Sequence, residues 1–199
     1  MRFYGFAGLT AAVLAASSIV IFAGRWERFE HSRHWVSFLG AYAAPDYIMF
    51  NLLAFIIPGG LIVALSIGLY AAVNRVSGPL LIAVCGVSLM AVGLLPLNLT
   101  QPVNIAHSVA VQVCGAAFSC GLVCMSPCMR RNDQFSPLAK ATPIFLLLVL
   151  LLPASEILRQ GTGISLEPVA QRFAFLSLLS WMAWAGWTIS EVERGRTAL

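Results

Sequence analysis

"IFLLLVLLLP", residues 144–153, places ten side chains in a row without one hydrogen-bonding group among them. A run that short also suits a core segment of a soluble protein, so its surroundings decide the fold. A bilayer's hydrocarbon layer is about 30 Å thick, and a helix needs about 20 residues to cross it. Read outward, the run extends over about 141–158, and it is one of six such segments; the others cover about 3–24, 47–73, 79–97, 104–126 and 169–190. The fourth begins just after Pro102. Lipid gives backbone N–H and C=O groups no partner outside their own chain, so each segment is predicted to be a helix. The alternating pattern of a lipid-facing barrel strand is missing. The predicted class is all-α: a polytopic membrane protein, one domain over residues 1–199 built as a six-transmembrane-helix bundle.

Bulk composition agrees. Hydrophobic residues make up 59% of the chain and charged residues 10%, with a mean hydropathy of +0.86. Soluble domains carry about 25% charge to solvate their surfaces. The net charge of +4 does not form a nucleic-acid footprint, because no basic cluster exceeds Arg130-Arg131. The basic residues instead orient the chain. With alternating spans, Arg2, Arg75, Arg130, Arg131, Lys140, Arg194 and Arg196 share one side, seven in all, against five on the other (Arg25, Arg28, Arg33, Arg159, Arg172). The richer side is expected in the cytoplasm, and with it both termini. The first apolar run is about 20 residues, longer than a signal peptide's 7 to 15, so it is expected to be retained as a span.

Small residues at Gly59-Gly60, Gly86, Gly93 and Gly115 with Ser119 are expected to let neighbouring helices approach closely. Cys120, Cys124 and Cys128 recur at helical spacing on one stripe. A single helix cannot close a soft-metal site with them, and packing between helices is the expected role. His31-x-x-His34, with His107 and Glu156, offers a metal-ligand set only on paper, since the first two lie in a charged loop. No metal and no cofactor is expected. The loop "RWERFEHSRHWVSFLGAYAAP", residues 25–45, interleaves aromatics with charges and is expected to form a partial interfacial helix over the outer mouth of the bundle. Pro45-Asp46 after it reads as a helix start, the carboxylate meeting the positive end of the dipole.

The polar residues are distributed unevenly. Ser37 in the first loop, Asn51 one turn into span 2, Asn98 closing span 3, His107 opening span 4, Glu156 ending span 5 and Arg172 opening span 6 all fall on the first-loop side. Polar groups within a membrane tend to face the bundle interior, pair, or line a wet cavity. A candidate binding pocket follows, in which Arg172 supplies a fixed positive charge, His107 an adjustable donor or acceptor, and the asparagines neutral hydrogen bonds. The plainer reading makes Arg172 a residue reaching headgroups and His107 a structural link between helices.

Three stretches resemble a known family. "VSFLGAYAAPDYIMFN" (36–51) resembles the "SELG…AP…FN" stretch of the bacterial membrane family called domain of unknown function 998. "GLLPLN" (93–98) with "IAH" (105–107) resembles its "G.FP.D…H" segment, and "EPVAQRFAFLSLLSW" (167–181) its final "ERL…W" helix. The resemblance implies a six-helix membrane protein with matching positions Ser37, Gly40, Asn51, Pro96, Asn98, His107, Arg172 and Trp181. Phe38 and Asn98 stand where the family has acids, which weakens any proton-relay or metal chemistry here. A more distant likeness to the Frag1/DRAM/Sfk1 membrane proteins points towards lipids. The expected function is therefore binding of a lipid headgroup or small anionic ligand, in a bacterial inner membrane, with membrane lipids as partners and no reaction. The alternatives are a lipid-modifying enzyme using His107 as base, and a small-solute transporter. Oligomeric state has no signal in the sequence.

Overall fold

The structure, a computed structural model, describes residues 2–100 and 104–197; Pro102, after which the sequence starts the fourth span, lies outside the described residues. Six helices are long and apolar enough to cross a membrane: α1 (Phe3–Arg25), α2 (Tyr47–Val73), α3 (Ser77–Leu94), α4 (Ile105–Arg130), α5 (Ser136–Thr162) and α6 (Glu167–Arg194). Among the described residues there is no strand. All six predicted spans are present. α5 runs from Ser136 to Thr162, past the apolar run at both ends, and α6 continues helical to Thr197.

The topology is a ring in chain order. Each helix packs on the next, and α6 returns to α1; α2 also touches α6 across the middle. Without a hydrophobic force between helices in lipid, close backbone approach and van der Waals packing must hold such a ring. Gly59 on α2 and Gly86 on α3 supply it, since a Cβ on either would lie 2.6 Å from the other's carbonyl oxygen. A Cβ at Gly93 would lie 2.8 Å from the Ile56 side chain and 3.1 Å from the Asn51 carbonyl oxygen on α2. Gly60 and Gly115 correct the sequence reading, because a Cβ at either meets nothing within 4 Å. Gly60 turns away from its partnered neighbour Gly59, and Gly115 borders a cavity.

The cysteine stripe is also corrected. Cys120 and Cys124 are exposed on the outside of the ring. The inward face of α4 is set by Phe118, Gly121, Leu122, Met125 and Met129, and a shift of one residue rotates a side chain by about 100°. The buried thiols are instead Cys85 on α3 and Cys114 on α4, with their sulfurs 3.5 Å apart. Several hydroxyls inside the spans bond back to their own helix, among them Ser18 to the Leu14 carbonyl, Ser66 to Val63 and Thr188 to Trp184, while Ser177 on α6 donates to the Phe145 carbonyl on α5. This satisfies a polar group where no water can.

In α2 the residues Leu52–Ile56 form a π-helical turn. Pro58 follows it and has no N–H to give the carbonyl four residues back, so the wider turn relieves the ladder at that point. The first loop differs from a helix lying flat in the headgroup layer. It carries a short 3-10 helix, Val36–Gly40, whose Val36, Ser37, Leu39 and Gly40 are buried. Helix α2 does begin right after Asp46, but the carboxylate pairs with Arg25 at 3.1 Å and makes no capping bond.

Candidate functional site

Hydrogen bonds seat the first loop on α6, on α2 and on the loop after α3. The Val36 N–H donates to Gln171 Oε1 on α6 at 2.7 Å, and Asn51 Nδ2 on α2 donates to the Gly40 carbonyl at 2.9 Å. The Tyr42 N–H donates to the Leu97 carbonyl at 3.0 Å, joining this loop to the one after α3. A Cβ at Gly40 would overlap the Asn51 amide, so the two residues fit as a lock.

Ser37 sits in the buried 3-10 helix and borders the cavity described below. Asn98 is half-buried; its Oδ1 accepts from the Thr100 N–H and hydroxyl, while its own N–H donates to Asn104 Oδ1. His107 is buried, and its Nδ1 lies 2.7 Å from the Leu95 carbonyl. A carbonyl only accepts, so Nδ1 carries the proton and ties the start of α4 to the end of α3. Its Nε2 is buried without a partner among the described residues. Glu156 is held by Arg159 at 2.5 Å and by Gln160 at 2.9 Å. Arg159 also reaches Glu167, 2.5 Å away, so this ion cluster pins the end of α5 to the start of α6.

Arg172 lies one residue beyond Gln171 on α6. Its Nη1 donates to the Pro168 carbonyl at 2.6 Å and its Nη2 to the His34 carbonyl at 3.0 Å, with His31 Nδ1 at 3.5 Å from Nη2. The guanidinium carbon is 5.8 Å from the Phe29 ring centroid. Among the described residues its Nε has no partner and no carboxylate forms an ion pair with it. Among the described residues no direct hydrogen bond joins any two of Ser37, Asn51, Asn98, His107, Glu156 and Arg172. Asn51, Asn98, His107, Glu156 and Arg172 each have other partners. His31 is exposed, and His34 Nδ1 accepts the Glu30 N–H at 2.9 Å. No group of three metal-ligating side chains is found among the described residues.

Below this face lies a cavity of about 80 Å³ between α3, α4, α5 and α6. Its walls are apolar: Leu89 and Val92, Val111 and Phe118, Val149 and Leu152, Ala174, Phe175 and Leu178. Phe55, carried by the π-helical turn, and Cys114 complete it, and Ser37 and Gln171 form its polar end. Phe118 continues inward to Trp181, which is fully buried, with ring centroids 5.8 Å apart. Sequence reading missed Gln171 and the cavity. Gln171 had a signal, a neutral polar residue beside Arg172 within an apolar helix; the cavity, assembled from five helices and the first loop, had none.

A model of one protein family, described as Protein of unknown function (DUF998), matches residues 9–188. No curated protein and no solved structure matches the chain.

Proposed function

The chain belongs to the DUF998 family, and we propose that this member is a non-enzymatic membrane protein that holds the anionic headgroup of a lipid at Arg172. Both termini are cytoplasmic in this reading, on the seven-to-five excess of Lys and Arg. The headgroup therefore comes from the outer leaflet of a bacterial inner membrane. One observation carries the proposal: Arg172 is a half-buried cation with two backbone carbonyls as acceptors and, among the described residues, no carboxylate in an ion pair with it. A guanidinium has five N–H donors and a geometry matched to phosphate oxygens. By contrast, the neighbouring Arg159 is matched by Glu156 and Glu167 and has no charge left to offer.

The enzyme alternative has less support. The His107 Nδ1 is engaged by the Leu95 carbonyl, and no hydroxyl or thiol is bonded to the ring among the described residues. A general base needs its proton donor within hydrogen-bond reach. A second reading does draw on a specific observation, the bonds from Arg172 to Pro168 and His34, which make it a clamp for the first loop. Native mass spectrometry from nanodiscs of mixed phosphatidylglycerol and phosphatidylcholine separates the two. Headgroup binding predicts that the wild type retains the anionic lipid preferentially, that Arg172→Gln abolishes the preference, and that Arg172→Lys keeps part of it. A clamp alone predicts lowered thermal stability in both variants, with the retained lipids unchanged. That second result would end the proposal.

A further inference from the structure

The cavity under Arg172 has the shape and chemistry of a hydrocarbon slot. We infer that it receives one acyl chain of the lipid whose headgroup lies at Arg172, an inference that rests on the reading above and gives that site its ligand class. Along α4 the walls run from Val111 to Phe118 and along α6 from Gln171 to Leu178. At 1.5 Å per residue the slot is roughly 10 Å deep. Among the described residues its only hydrogen-bonding side chains apart from a thiol, Ser37 and Gln171, sit at the end next to Arg172. A polar solute would lose its hydration in such a slot and find almost nothing in exchange, whereas a hydrocarbon chain requires no partner.

Charge and position select the occupant. Gln171, at the polar end of the slot, precedes Arg172 by one residue on α6, so a phosphate on the guanidinium lies level with that end and about 100° around the helix from it. An engineered cavity of about 150 Å³ holds one benzene, so the resting volume of about 80 Å³ takes a few carbons. The wall able to yield is α5, which buries 17% of its apolar window while the other five helices bury 39–56%. Lipid surrounds that helix, so chains are at hand on its outer side.

The test uses the full chain in nanodiscs containing a phosphatidylglycerol with a diazirine midway along one acyl chain, and maps crosslinks by peptide mass spectrometry. Label should concentrate on the slot walls around Val111, Phe118 and Leu178, above the level on outward-facing Ile67 and Leu147. The substitution Gly115→Leu adds a side chain at a residue that borders the slot and where a Cβ meets nothing within 4 Å. Slot labelling should then fall about tenfold, the outer reference labels staying constant. Wild-type label spread evenly over lipid-facing residues, or slot label indifferent to Gly115→Leu, overturns the inference; the wild-type map alone decides it if the variant does not fold. Failure here with anionic preference still lost in Arg172→Gln removes the slot and leaves the headgroup reading standing. Slot labelling with no role for Arg172 supports the slot and removes the headgroup reading.

Discussion

Asn51 exemplifies how a polar side chain earns a place one turn inside a membrane span. It is 4% exposed and donates to the Gly40 carbonyl, fixing the buried 3-10 helix on α2. Truncation to alanine leaves that carbonyl without its donor in a dry site, at a cost of about 1–3 kcal/mol. Thermal unfolding in detergent should register the loss in Asn51→Ala. Asn98→Ala should show far less, because the bonds Asn98 makes to Thr100 are local and exposed. Equal effects would refute the lock. His107 has the same logic, since it closes the connection between α3 and α4 through the Leu95 carbonyl. Sequence identified both residues as polar groups that need partners. It grouped them in one candidate pocket, whereas the partner of each is a backbone carbonyl, and a carbonyl leaves no mark in a residue pattern.

At the scale of elements, contact between helices rests on which glycines face a neighbour. Gly59 and Gly86 face each other, and a Cβ on Gly59 would also lie 2.9 Å from the Met90 backbone nitrogen. Gly60, the next residue, has open space. Leucine at position 59 should therefore separate α2 from α3 and lower the unfolding temperature sharply. Leucine at position 60 should leave it close to wild type, and a reversed order would show that the two helices pack on another face. The two residues are identical in kind and adjacent in sequence, so only the rotation of α2 about its axis distinguishes them. The cysteines make the same point on α4, where Cys114 is buried and Cys120 and Cys124 are not.

For the whole molecule, six spans in alternation put the first-loop residues and Arg172 on one side and both termini on the other. Reporter fusions after Arg75 and Arg131 should behave as cytoplasmic and a fusion at Gln101 as external. The opposite pattern would invert the protein and move the Arg172 face to the inner leaflet, keeping the six helices. The ring closes because α6 returns to α1. The contact of α2 with α6 across it leaves the cavity on the α3–α4–α5 side, where α5 is the most lipid-exposed helix.

The amino-acid sequence by itself determined the number, order and approximate bounds of the helices. Lipid imposes intrahelical bonding on any apolar run of about 20 residues, so that conclusion depends on local composition alone. It also placed the polar residues on one side, because alternation of spans fixes that without coordinates. Only the tertiary structure decided their partners. The Gln171 bond to Val36 joins residues 135 positions apart, and the slot has walls from five helices. Such features arise from the rotation and neighbour of each helix, which in lipid are set by close packing rather than by burial of apolar surface.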